Sequence, residues 1–206
     1  GADLDASVPS TGMPDNAQAL LAAMAAAPSF IMVGTMEPRK GHAQTLAAFE
    51  ELWLQGKNYN LFIIGKQGWH VDDLCERLRH HPQLNKKLFW LQNISDEFLT
   101  KLYSQSSALI FASLGEGFGL PLIEAAQKKL PVIIRDIPVF KEIAQEHAWY
   151  FSGEAPADIA KAVEDWLALY EQNAHPRSEN INWLTWKQSA EFLLKNLPII
   201  APAAKQ

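Results

Sequence analysis

Two clusters in the sequence combine residue types and spacings that do chemistry. The first is Ser113-Leu114-Gly115-Glu116-Gly117-Phe118-Gly119-Leu120-Pro121-Leu122-Ile123-Glu124. Its three glycines let the backbone approach a ligand closely, and Pro121 suits the first turn of a helix beginning near Leu120. Free N–H groups at such a helix start, together with the helix dipole, favour an anion such as phosphate. Glu116 falls in the glycine loop and Glu124 about one turn into the helix, so the two carboxylates can face one pocket. There they would accept hydrogen bonds from sugar hydroxyls, each contributing about 1.5–3 kcal/mol where water is excluded. The plainer alternative is that Glu124 is a solvated helix residue and the glycines only make a tight turn. The loop is not a dinucleotide fingerprint, because Leu120 stands where G-x-G-x-x-G needs its last glycine, and Gly65-Lys66 lacks the flanking residues of a P-loop.

The second cluster is Gly34-Thr35-Met36-Glu37-Pro38-Arg39-Lys40-Gly41-His42. Arginine can hold phosphate bidentately and lysine acts as a point charge, so Arg39 and Lys40 together suit a diphosphate. A pair that merely caps or solvates a loop is the alternative. His42 either flanks the phosphates or is a surface residue.

The elements that must position these clusters follow from hydrophobic patterning. Short, continuous apolar runs at 30–33, 61–64, 88–91, 108–112, 132–134 and, less cleanly, 149–151 read as strands buried on both faces. Between them, segments 42–55, 71–80, 96–104, 120–128 and 139–146 have helical periodicity, with Ser95 as an N-cap. Strict alternation predicts an α/β fold: a Rossmann-like doubly wound parallel sheet of about six strands with helices on both faces. Ligands of such sheets sit outside the carboxyl ends of the strands, which is where both clusters fall. Residues 1–28, with prolines at 9, 14 and 28 and an alanine-rich stretch, read as a linker and a short helix. Helices over 157–172 and 184–197, separated by a polar loop, extend the fold past its last strand.

Composition narrows the function. The chain has 206 residues, a net charge of −5 and one cysteine. With 48% hydrophobic and 20% charged residues it is not a disordered chain, and the lack of a Lys/Arg block argues against nucleic acid as a partner. Cys75 cannot form an internal disulfide and reads as inert; no Cys/His set has zinc spacing, so no metal is expected. His80 and His81 read as helix-end residues, and Trp166, Trp183 and Trp186 as packing anchors. No apolar run is long enough to cross a bilayer. The acidic opening from Gly1 suggests a piece of a longer protein.

Taken together, Glu37-Pro38-Arg39-Lys40-Gly41, Ile64-Gly65-Lys66-Gln67-Gly68-Trp69, Ser95-Asp96-Glu97-Phe98-Leu99 and Glu116-x7-Glu124 stand in an order that resembles the C-terminal, nucleotide-sugar-binding half of family 4 retaining glycosyltransferases of the GT-B fold. The resemblance covers about residues 30–197 and is greatest to bacterial mannosyltransferase-like members that build polysaccharides such as O-antigen. It implies a metal-independent hexosyltransferase taking GDP-mannose, or alternatively a UDP-sugar, with no cofactor beyond that donor. Arg39 and Lys40 would clamp the diphosphate, with Gly34 at the turn; Glu124 would bind the ribose and Glu116 the transferred sugar. The amides of Phe118, Gly119 and Leu120 would face the sugar or distal phosphate, and the main chain at Ile94 the base. Arg39, Lys40 and Glu116 would be the catalytic set. Many relatives carry an arginine where this sequence has Thr35. The implied division is an interdomain linker and short helix at 1–28, a nucleotide-sugar-binding domain at 29–182, and a crossover helix and tail at 183–206. The acceptor-binding N-terminal domain would lie outside this chain, which would be inactive alone. The resemblance further implies a cytoplasmic location at the inner face of the membrane, with peripheral membrane association only through the full-length protein. The rival readings are a non-catalytic nucleotide or sugar-phosphate module, a receiver-like interaction module, and another GT-B enzyme such as an epimerase or phosphorylase.

Overall fold

The apolar runs form six strands, β1 (Ser29–Val33), β2 (Asn60–Ile64), β3 (Leu88–Leu91), β4 (Ala108–Phe111), β5 (Val132–Arg135) and β6 (Trp149–Phe151). All five pairings are parallel, in the order β3-β2-β1-β4-β5-β6. The computed structural model describes residues 8–196, so the opening residues read as linker and the end of the expected last helix lie outside the described residues.

Side-chain alternation explains the two-layered core. Phe30, Met32, Leu61, Ile63, Leu88, Ala108, Ile110 and Ile133 point to one face of the sheet. There they meet α2 (His42–Leu54), α3 (Asp72–Arg79) and α7 (Pro156–Glu171). Their neighbours Ile31, Phe62, Phe89, Leu109, Phe111, Val132 and Ile134 point to the other. That face is covered by α1 (Ala17–Ala26), α4 (Asp96–Gln105), α5 (Leu120–Gln127) and α6 (Pro138–Ala144). Both faces are covered, so the strands carry no polar side and read as continuous apolar runs. Ser95 caps α4 as its sequence position predicts, its Oγ accepting from the Phe98 amide at 3.0 Å.

Three segments depart from their sequence reading. Residues read as linker are docked: the Ser10 amide donates to Asp96 Oδ2 at 2.8 Å and the Gly12 amide to Glu97 Oε2 at 2.9 Å, at the start of α4. The polar loop after α7 folds back, with Ile181 buried and the Ser178 hydroxyl donating to the Leu130 carbonyl at 2.6 Å. Trp186, expected as a packing anchor, is 64% exposed on α8 (Trp186–Asn196), which buries none of its residues and presents Phe192, Leu193 and Leu194 to solvent.

Phe30 is the hub of the α2/α7 layer, fully buried and edge-on to Phe49, Tyr59 and Trp166 at centroid separations of 5.6, 6.3 and 5.9 Å. Truncation leaves a cavity bounded by three rigid rings that cannot collapse into it. Phe30→Ala is therefore expected to lower the unfolding free energy by about 3–5 kcal/mol in urea titration.

Candidate functional site

β1 is the central switch of the sheet: β2 pairs on one side and β4 on the other, so the β1–α2 and β4–α5 turns leave the carboxyl edge side by side. The first turn carries a 3-10 segment, Pro38–Lys40, and then Gly41 at φ 73°. A Cβ at Gly41 would fall 2.4 Å from the Ala112 carbonyl oxygen, so glycine is required by both conformation and space. The turns are joined directly where the Leu114 amide donates to the Arg39 carbonyl at 2.8 Å.

This contact brings the two sequence clusters together. The Glu116 carboxylate takes Lys40 Nζ on Oε1 and Arg39 Nη1 on Oε2, the latter at 3.1 Å, and Ser113 Oγ donates to Oε1 at 2.8 Å. Arg39 also donates to the Gly115 carbonyl at 2.8 Å and pairs with Glu37 at 3.0 Å. The side chain of Glu116 is 8% exposed, that of Lys40 15% and that of Arg39 43%, so only the guanidinium presents a broad surface. Lys40 further lies 5.6 Å above the Phe111 ring. Burial pushes the Glu116 carboxyl up, but hydrogen bonds from Lys40, Ser113 and Arg39 outweigh it and hold the group below the usual carboxylate range. Arg39 is held above its ordinary value by the hydrogen bond and charge of Glu116.

Glu124, on α5, is gripped separately by the Tyr103 hydroxyl of α4 at 2.9 Å. Burial and the Glu124 charge raise the Tyr103 phenol far above its normal range, so it stays protonated and donates to Glu124. The two glutamates thus have different partners, Glu116 on the β1 turn and Glu124 on α4. Gly34 begins the β1 turn at φ 131°, and its amide donates to the Ile64 carbonyl at 2.9 Å. Gly119 immediately precedes α5, Leu120 opens it and is 45% exposed, and Phe118 and Ile94 are half-buried against the α4/α5 layer. Among the described residues, no group of three or more His, Cys, Asp or Glu is placed to hold a metal.

Sequence reading missed three supporting residues and half-missed a fourth. Ser113 stands at the head of the glycine loop, where its hydroxyl reaches back to Glu116. Tyr103 lies on the buried stripe of α4, where a phenol must find an acceptor. Arg135 is a charged residue ending an apolar strand, an anomaly visible in the sequence. It is 5% exposed, donates through Nε to the Ala112 carbonyl at 3.0 Å and through its other nitrogens to Gly153 O and Gln44 Oε1, and lies 5.0 Å from the Phe151 ring. His42 is not a surface residue: it is 3% exposed, with Nδ1 unpartnered, because the α2 start is pressed into the switch point.

A family profile described as "Glycosyl transferases group 1" matches residues 22–183. The chain is 93% identical over its whole length to the serotype-specific mannosyltransferase WbdA of Escherichia coli, of which it covers 25%. It is 31% identical over 66% of its length to the O-antigen chain mannosyltransferase RfbU of Salmonella typhimurium, covering 37% of that protein. It therefore spans well under half the length of these curated relatives. Among solved structures, the C-terminal domain of a group 1 glycosyl transferase, LpcC, from Francisella tularensis superposes with a TM-score of 0.64 at 17% identity. That match covers 97% of this chain and all of that domain, and supports the fold.

Burial, and then the Lys40 charge, lower the His42 imidazole from 6.5 to about 4. The unfolded chain therefore binds this proton more readily than the folded one, so the stabilisation is intact above pH 6.5 and is lost as the pH falls toward 4. The full loss is about 3 kcal/mol. In His42→Gln, the difference in unfolding free energy between pH 7 and pH 4, from urea titrations, is expected to shrink by about that amount.

Proposed function

The chain belongs to the group 1 glycosyl transferases, and from that premise we propose that it is the donor-binding domain of a retaining, metal-independent mannosyltransferase of polysaccharide biosynthesis. The donor in this reading is GDP-mannose, with a UDP-sugar as the alternative. A second, acceptor-binding domain elsewhere in the longer protein completes the active site, which works at the cytoplasmic side of the membrane. The division of the chain into linker, donor domain at 29–182 and crossover helix belongs to the same proposal. The high identity to WbdA supports the sugar and the process. The observation that carries the site is the Arg39–Glu116–Lys40 cluster at the switch point.

In this reading the cluster is a charge-exchange device. Arg39 and Lys40 are two cations already oriented by one carboxylate. A diphosphate carries more negative charge than Glu116 and offers several acceptor oxygens, so it takes over the cations with little side-chain reorganisation. Glu116 is thereby released toward the hydroxyls of the transferred sugar, with Ser113 still holding Oε1. As the sugar–phosphate bond lengthens, charge grows on the leaving diphosphate. Arg39, Lys40 and the amides at the start of α5 stabilise that charge more than the ground state. Glu124, oriented by Tyr103, keeps free lone pairs for the ribose hydroxyls, and the main chain near Ile94 meets the base. The leaving phosphate assists removal of the acceptor proton on the same face, so that configuration is retained.

The first test is a thermal-shift panel of GDP, UDP, ADP and their sugars. Ligand at 100 times its dissociation constant stabilises the fold by about 2.7 kcal/mol, so a GDP-selective rise in midpoint supports the reading and no shift with any nucleotide refutes it. Lys40→Ala is expected to weaken GDP far more than guanosine in calorimetry. Glu116→Gln should bind GDP at least as tightly as the parent, because it removes the competing anion, while mannosyl transfer by the full-length enzyme falls. Glu124→Ala should cost about 1.5–3 kcal/mol of donor affinity.

A further inference from the structure

The opposite, amino edge of the sheet contains a second polar hollow. A cavity of about 220 Å³ lies beneath the starts of β4 and β5, lined among others by Ser104, Ser107, Lys128, Lys129, His175 and Arg177. Among the described residues, no Asp or Glu lines it. Two lysines at the end of α5 would by themselves be expected, since the carbonyls of a helix C-terminus favour cations. Arg177 and His175 are not explained that way, because they reach the cavity from the loop after α7. That loop is pinned over the cavity wall by the Ser178 bond to Leu130 and is closed within itself where Arg177 donates to Asn173 Oδ1.

His175 lies in the cavity wall. It is 5% exposed, and neither ring nitrogen has a hydrogen-bond partner. The ring is packed against Tyr170 and Trp166 at centroid distances of 4.9 and 5.7 Å, so its orientation is fixed. A buried imidazole with both nitrogens unpaired carries a desolvation cost that calls for an explanation. Among the described residues, neither Lys128 nor Lys129 forms an ion pair. Ser107 Oγ accepts from the Ser29 amide at 3.1 Å, which leaves its own proton to donate. Glu124 is held by Tyr103, and burial, then the Arg177 charge, lower the His175 imidazole against the opposing charge of Glu179.

From this arrangement of Lys128, Lys129, Arg177, Ser107 and His175 around one acid-free cavity, we infer that the amino edge binds a phosphoryl group, either free phosphate or the phosphate of a larger ester. The volume holds a phosphate and a few waters, each water taking ~30 Å³. The cavity lies at the opposite edge of the sheet from the Arg39–Glu116–Lys40 cluster, although Tyr103, which holds Glu124, also lines it. Its proposed ligand does not depend on the glycosyltransferase reading.

The test follows the His175 ring resonances by NMR during titration with inorganic phosphate, against chloride at equal ionic strength. Saturable movement with phosphate alone is expected. The Lys128→Gln/Lys129→Gln double variant should weaken that binding by tenfold or more, while Arg39→Gln leaves the His175 response unchanged. Arg177→Gln, on a different segment, gives the same readout if the double variant does not fold. Co-sedimentation with phosphatidylglycerol vesicles, compared with phosphatidylcholine, separates the sources. Charge-selective binding lost in the double variant identifies a lipid headgroup, and a phosphate response without vesicle binding identifies a soluble phosphate. A His175 response that chloride reproduces, or that persists in both cavity variants, overturns the inference.

Discussion

The site depends on the contact of two backbone turns at the switch point of the sheet. β1 is paired on both sides, so its outgoing turn must pass against the one leaving β4. Gly41 allows that passage with no room for a side chain toward Ala112. The Leu114 amide then closes the gap with a hydrogen bond to the Arg39 carbonyl. The placement of the charged cluster follows from that approach: Arg39 and Lys40 on one turn can reach Glu116 on the other because the main chains already touch. The topology supplies the cleft, in the way expected of open α/β sheets.

Electrostatics then decides how the cleft is kept ready. Glu37 and Glu116 stand against Arg39 and Lys40, so the cluster is formally neutral. A pair of uncompensated cations at this depth would carry a desolvation cost and repel each other. Glu116 removes both problems while holding the cations in position. The cluster is therefore weak evidence for stability but good evidence for orientation, since a buried ion pair costs nearly as much to desolvate as it returns. Partial exposure of Arg39 fits this division: Lys40 is the more enclosed charge, and Arg39 is the planar group that faces outward.

The strand and helix plan was legible because a sheet covered on both faces leaves short apolar runs, and because glycines and prolines punctuate them at 34, 65, 119 and 138. The identities at the switch point, Arg39, Lys40 and Glu116, were legible as types in two motifs, but their mutual pairing was not. Seventy-odd residues separate them, and nothing local says that a carboxylate rather than solvent faces Lys40. Tyr103 was hidden for a related reason, since it looked like part of an apolar helix face; Arg135 was visible as a charge at the end of an apolar strand, but its partners, remote in sequence, were not. The docking of Ser10 and Gly12 on α4, and of Ile181 against the core, was missed because polar composition marks a loop without saying what it rests on.

Arg135 shows how far the support of the site extends. Its guanidinium is buried with neutral acceptors rather than a carboxylate, and burial pulls its pKa below the ordinary value. Such an arrangement is tolerated when the bonds it makes are needed elsewhere. One goes to Ala112, directly before the Glu116 loop and against Gly41; another goes to Gln44 in the first turns of α2; a third goes to Gly153, before α7. Gln44 in turn donates to the Ala155 carbonyl at 2.8 Å. The loop that starts α7 is thereby tied to both turns of the site, and α7 packs along α2 over most of the same layer. The last strand and helix therefore do more than cover the sheet. They brace the start of α2 and the end of β4 so that the two turns keep the spacing on which the Arg39–Glu116–Lys40 geometry rests.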